Sequence, residues 1–81
     1  MNDSGVNMVI FNEHLKKIRK DKKKTQKEVA NAIQLSERNY QSFEYGKVKP
    51  SFETLIALAD YFDISIDYLV GRTNNPNSHK K

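Results

Sequence analysis

Four hydroxyl residues, Thr25, Ser36, Ser51 and Ser65, each stand just before a short run of periodic apolar residues. A hydroxyl in that place accepts a hydrogen bond from a free backbone N–H and starts a helix. Their spacing leaves room only for brief helices. Thr25-Gln26-Lys27-Glu28 has the form of a capping box, in which hydroxyl and carboxylate satisfy each other's orphan donors. The helix it opens ends near Ile33 and turns Val29, Ala30 and Ile33 inward. Ser36 opens a helix over about residues 37–45, and Gly46 suits the left-handed position beyond it. Pro50-Ser51 opens a fourth helix with Phe52, Leu55, Ile56, Ala59 and Phe62 as its core face. Ser65 caps a fifth, with Ile66, Leu69 and Val70 inward and Gly71 as terminator. Ahead of these, Phe11, Leu15 and Ile18 make one apolar stripe on a first helix over about residues 12–22. No strand-like alternation of useful length occurs. Helices of about eight residues do not persist alone in water. The expected fold is therefore all-α, with five helices contributing to one core.

The boundaries follow from composition. Residues 1–10 are weakly patterned and read as a loose arm. Residues 11–71 carry the helices. Residues 72–81 are polar, rich in Asn and broken by Pro76, and read as a flexible tail. At 81 residues the chain holds one small domain. Without cysteine it has no disulfide and no zinc–thiolate site. No apolar run nears the roughly 18 residues of a membrane span, and no signal-peptide pattern opens the chain. The cytosol, with no membrane contact, is the expected setting. His14 and His79 lie at opposite ends, and Asp60, Asp63 and Asp67 lack the glycine-bearing calcium-loop pattern. No glycine-rich phosphate loop and no nucleophile–base pair occurs. An enzyme, a metal, a cofactor and a small-molecule substrate are not expected.

Charge is segregated. The segment 16–27 carries eight bases (Lys16, Lys17, Arg19, Lys20, Lys22, Lys23, Lys24, Lys27) and one acid, Asp21. The segment 50–69 carries four acids (Glu53, Asp60, Asp63, Asp67) and no base. A basic front and an acidic back suit an oriented encounter with a polyanion. A solvated lysine-rich face is the alternative.

Helices two and three are the informative pair. Gln34, Leu35 and Ser36 alone separate them, which is the spacing of a helix-turn-helix. On the third helix, Tyr40 and Phe43 point one way with Leu35. Glu37, Arg38, Gln41, Ser42 and Tyr45 lie on the other side. That side is rich in hydrogen-bonding groups suited to base edges in a major groove: Arg to guanine, Gln to adenine, Ser to either. A merely solvated surface has the same composition.

Residues 15–72 resemble the lambda-repressor and Cro-type helix-turn-helix proteins, the XRE family. The stretches that carry the resemblance are TQKEVANAI, LSERNYQSFEYGK, KPSFETLIALADYF and ISIDYLVGR. The pattern places Gln26 first on the second helix and Ala30 four positions later. Apolar residues follow at Val29, Ile33, Leu35, Tyr40 and Phe43, and Glu44, Tyr45, Gly46 and Lys47 form the exit. The resemblance implies a five-helix DNA-binding domain. It implies that Gln26, at a helix N-terminus, holds a phosphate, and that Ser36 touches a phosphate or base edge or simply caps its helix. Glu37, Arg38, Gln41 and Ser42 face the groove, Glu37 alternatively only balancing the helix dipole. Lys47 and Lys49 clamp backbone phosphates, unless Lys49 is only solvated. It also implies that Arg19 pairs with Glu44, an acid that opposes the macrodipole at its helix end. The turn position usually held by glycine is Gln34 here. A positive φ there costs a non-glycine residue roughly 1–2 kcal/mol.

The function this implies is a small phage-repressor-type regulator of transcription. It would bind double-stranded DNA, at a palindromic operator, as a homodimer whose contact surface involves Asp67, Tyr68, Val70 and the tail. Half-sites would lie about 34 Å apart. Two other readings use the same fold: a protein-interaction module docking an acidic partner, and an antitoxin-type autorepressor.

Overall fold

The computed structural model describes residues 3–72 and 75–77, with side chains from Phe11 onward. The described residues form five helices and no strand: α1 (Asp3–Asp21), α2 (Gln26–Ala32), α3 (Glu37–Glu44), α4 (Phe52–Phe62) and α5 (Ile66–Leu69). All four hydroxyl caps form. Thr25 Oγ1 accepts from Glu28 N at 3.0 Å, and Glu28 Oε1 accepts from Thr25 N at 2.8 Å, completing the capping box. Ser36, Ser51 and Ser65 accept from Asn39, Thr54 and Tyr68 at 3.0, 3.1 and 3.0 Å. Each such cap contributes about 1 kcal/mol. That matters for helices as short as α2, α3 and α5.

The core draws on every helix: Leu15 and Ile18 of α1, Val29 and Ala30 of α2, Tyr40 and Phe43 of α3, Leu58, Ala59 and Phe62 of α4, and Leu69 of α5. Ile64, between α4 and α5, joins them. The α2–α3 pair is held from beneath by α1 and α4.

Three expectations are corrected. First, α1 begins at Asp3, so residues 3–10 are helical backbone rather than a loose arm. No glycine or proline interrupts residues 6–21, and a helix once nucleated extends at little cost. Residues 1–2 of that arm lie outside the described residues. Second, the core face of α4 is rotated. Phe52 is 65% exposed and Ile56 36%, whereas Leu58, left out of the expected face, is fully buried. The helix carries apolar residues on two overlapping stripes, and Leu55, Leu58, Ala59, Tyr61 and Phe62 turn toward its neighbours. Third, the described part of the tail is held. Ser65 N donates to Pro76 O at 2.8 Å, laying residues 75–77 near the start of α5. Residues 73–74 and 78–81 of the tail lie outside the described residues.

The turns carry strain where the side chain is not glycine. Gln34, in the α2–α3 turn, has φ +63°, and Lys23 and Asp63 are likewise left-handed at +60° and +59°. Gly46, after α3, has φ +75° and little room: a Cβ there would lie 2.7 Å from Asn12 Nδ2.

Candidate nucleic-acid interface

The packing of α3 decides which of its residues face out. Tyr40 is fully buried, and its ring meets Phe43 edge to face at 6.2 Å. With these two inside, Glu37, Arg38 and Asn39 are exposed, and Gln41 and Ser42 are half-buried at the margin. Tyr45 closes the helix with 59% of its surface free. Among the described residues, Arg38 makes no side-chain hydrogen bond or ion pair, so its guanidinium is uncommitted. Lys47 and Lys49 project from the exposed loop beyond α3. Lys49 shares a shallow groove with Asn39, Ser42 and Thr54. Ser36 Oγ is occupied as the cap of α3. Ser42 Oγ donates back to Asn39 O at 2.6 Å.

Arg19 and Glu44 stand as an ion pair. Arg19 Nε reaches Glu44 Oε2 at 2.6 Å and Nη2 reaches Oε1 at 3.1 Å, with both residues buried. Arg19 Nη1 also donates to Lys24 O at 2.9 Å, tying down the α1–α2 loop. The Tyr40 hydroxyl donates to the same carboxylate. Burial pushes the Glu44 carboxyl up, but hydrogen bonds from Arg19, Tyr40 and Gln26 outweigh it, and the group stays below the usual carboxylate range. The hydrogen bond to Glu44 raises Arg19 in turn, and burial raises Tyr40. Arg19 is thereby withdrawn from the basic front, while the surrounding lysines from Lys16 to Lys27 remain at the surface.

Gln26 takes an unexpected place. Its Nε2 donates to Glu44 Oε1 at 3.1 Å, and its Oε1 accepts from Gln41 Nε2 at 3.0 Å. The residue stands first in α2, as expected for a phosphate contact, yet its carbonyl and one N–H bridge the buried ion pair to α3. Sequence reasoning also passed over Asn39, an exposed amide beside Arg38. Its spacing from Ser36 and Ser42, three residues either way, is the signal that marks it as part of the same surface.

Two short capped helices joined by a tight turn, the second offering a bare polar face, define a helix-turn-helix unit. The chain belongs to the helix-turn-helix family, whose pattern matches residues 15–69. It is similar to YqaE, an uncharacterised HTH-type transcriptional regulator of Bacillus subtilis (strain 168). The two are 38% identical over 66 residues, 82% of this chain and 57% of that protein. The cryptic phage CTXphi transcriptional repressor RstR of Vibrio cholerae (serotype O1, strain El Tor Inaba N16961) is 42% identical over 60 residues, 74% of this chain and 54% of RstR. YobD, another uncharacterised HTH-type transcriptional regulator of B. subtilis (strain 168), is 31% identical over 67 residues, 83% of this chain and 60% of YobD. The chain thus spans little more than half the length of these relatives. No solved structure matches it significantly. No described helix is long and apolar enough to cross a membrane, and no described group of side chains could hold a metal ion.

Proposed function

We propose that the chain is a phage-repressor-type transcriptional regulator that binds double-stranded DNA sequence-specifically. α3 enters the major groove, and Arg38, Gln41 and Ser42 meet base edges, with Glu37 beside them. Lys47 and Lys49 neutralise phosphates, which sets register; the groove face specifies sequence. The observation that carries this reading is the division of α3, with Tyr40 and Phe43 sunk in the core and an uncommitted Arg38 outside. A regulator of this kind represses by covering a promoter. One such unit spans few base pairs, so the reading includes a symmetric homodimer on a palindromic operator.

Selection of binding sites from random duplex DNA tests the proposal. Titration of the selected and scrambled sequences at several salt concentrations follows. The expected affinity ratio is about 10³ or more. Equal, weak binding to every duplex overturns the proposal in favour of a protein-interaction module.

A further inference from the structure

We infer that Gln26 is a positioning residue that fixes which way the Gln41 amide faces, with the buried Glu44 carboxylate setting the direction. The inference rests on α3 being the recognition helix. A carboxylate paired with Arg19 only accepts hydrogen bonds. Gln26 meets Glu44 Oε1 at 3.1 Å and must present its nitrogen there. Its carbonyl therefore serves the other contact, where Gln41 Nε2 donates at 3.0 Å. A Gln41 amide turned over would set oxygen against oxygen. Donor-to-acceptor polarity is thus imposed from the Arg19–Glu44 pair, through Gln26, on an outer residue of α3.

The bond to Gln26 leaves Gln41 its carbonyl oxygen and its second N–H, side by side. That acceptor and donor match N6–H and N7 of adenine in the major groove. Guanine presents O6 and N7 there, two acceptors, and its O6 would face the Gln41 carbonyl. An untethered glutamine turns its amide to suit either purine; a tethered one does not. Gln26 therefore confers discrimination against guanine at the base pair facing Gln41 without touching a base.

Site selection from random duplex DNA, read base pair by base pair, tests this with Gln26→Met, which keeps length and bulk and removes the amide. The parent chain is expected to prefer adenine over guanine at one base pair that loses its preference in Gln41→Ala. In Gln26→Met that preference falls roughly tenfold, while base pairs facing Arg38 keep theirs. Adding Gln26→Met to Gln41→Ala changes it no further. A purely structural role for Gln26 weakens all positions alike, and that result overturns the inference, as does an unchanged profile. A parent chain that selects sites but shows no such adenine preference overturns it and leaves the DNA-binding reading standing. A parent chain that selects no sequence removes both. A second measurement needs no substitution: side-chain amide exchange by NMR in the free protein. Gln26 and Gln41 should exchange more slowly than the exposed Gln34, and equal rates overturn the inference.

Discussion

Arg19 holds Glu44 through two parallel hydrogen bonds, at 2.6 and 3.1 Å, and so joins the end of α1 to the last residue of α3. The acid sits where the helix macrodipole is already negative, an unfavourable place without a counter-charge. With it, α3 is anchored at its C-terminal end by a buried group on a longer helix. Breaking such a pair leaves a charge stranded in the interior.

Arg19→Ala should therefore destabilise the fold by about 3–5 kcal/mol, a large share of what so small a domain possesses. Arg19→Lys should recover only part of this, because an ammonium lacks the planar fork that reaches both carboxylate oxygens and Lys24 O. Urea unfolding followed by circular dichroism measures both. A loss below about 1 kcal/mol for Arg19→Ala would show the pair to be no stronger than a surface one.

Acid should expose the same group. The Glu44 carboxyl titrates below its ordinary 4.5 when folded, burial being outweighed by its three hydrogen-bond donors. A depressed folded value means stability that is fully present above 4.5 and is lost as pH falls through the folded value. The urea midpoint of the parent chain should drop on acidification below that point. Glu44→Gln, weaker at neutral pH, should show a shallower drop. Parallel profiles down to about pH 3 would remove Glu44 from the acid response.

The α2–α3 turn offers a gain rather than a loss. Gln34 is left-handed at φ +63°, a conformation costing a non-glycine residue roughly 1–2 kcal/mol. Glycine removes that cost but is more flexible when unfolded, which takes back up to about 1 kcal/mol. Gln34→Gly should raise stability by about 0.5–1 kcal/mol, a melting-point rise of a few degrees. A lower melting point would mean that the glutamine makes contacts worth more than its backbone strain.

Arg38 and Lys47 should separate specificity from affinity. Arg38→Ala should cost roughly 1–3 kcal/mol on the selected site and relax preference at the base pair it faces. Lys47→Ala should weaken binding to all duplexes alike and lower the salt slope by about one. Fluorescence anisotropy on matched and mismatched duplexes across a salt series distinguishes them. Interchangeable effects of the two variants would argue against α3 as the reading element.

The caps at Thr25, Ser36, Ser51 and Ser65, the short helices behind them and the buried pair of Tyr40 and Phe43 were all legible in the chain. Each depends on residues three or four apart, so the chemistry that sets them is complete within a few neighbours. The outward placement of Arg38 followed from the same periodicity once its opposite face was known to be apolar. The strained turn at Gln34 and the partnership of Arg19 with Glu44 came from resemblance to a family, since no local rule joins residues 25 positions apart.

What the linear order left open was every choice between equivalent local solutions. Two apolar stripes run along α4, and only packing against its neighbours turned Leu58 inward and left Phe52 in water. The start of α1 was obscured because residues 3–10 lack a regular apolar stripe to announce a helix. Gln26 was visible as the first residue of α2, but its amide could serve a phosphate or a neighbour. Three-dimensional packing brought Glu44 and Gln41 to either side of it. A local hydrogen bond needs only adjacent backbone, whereas the direction of a side chain between helices depends on how the whole core settles the angles of the helices that carry it.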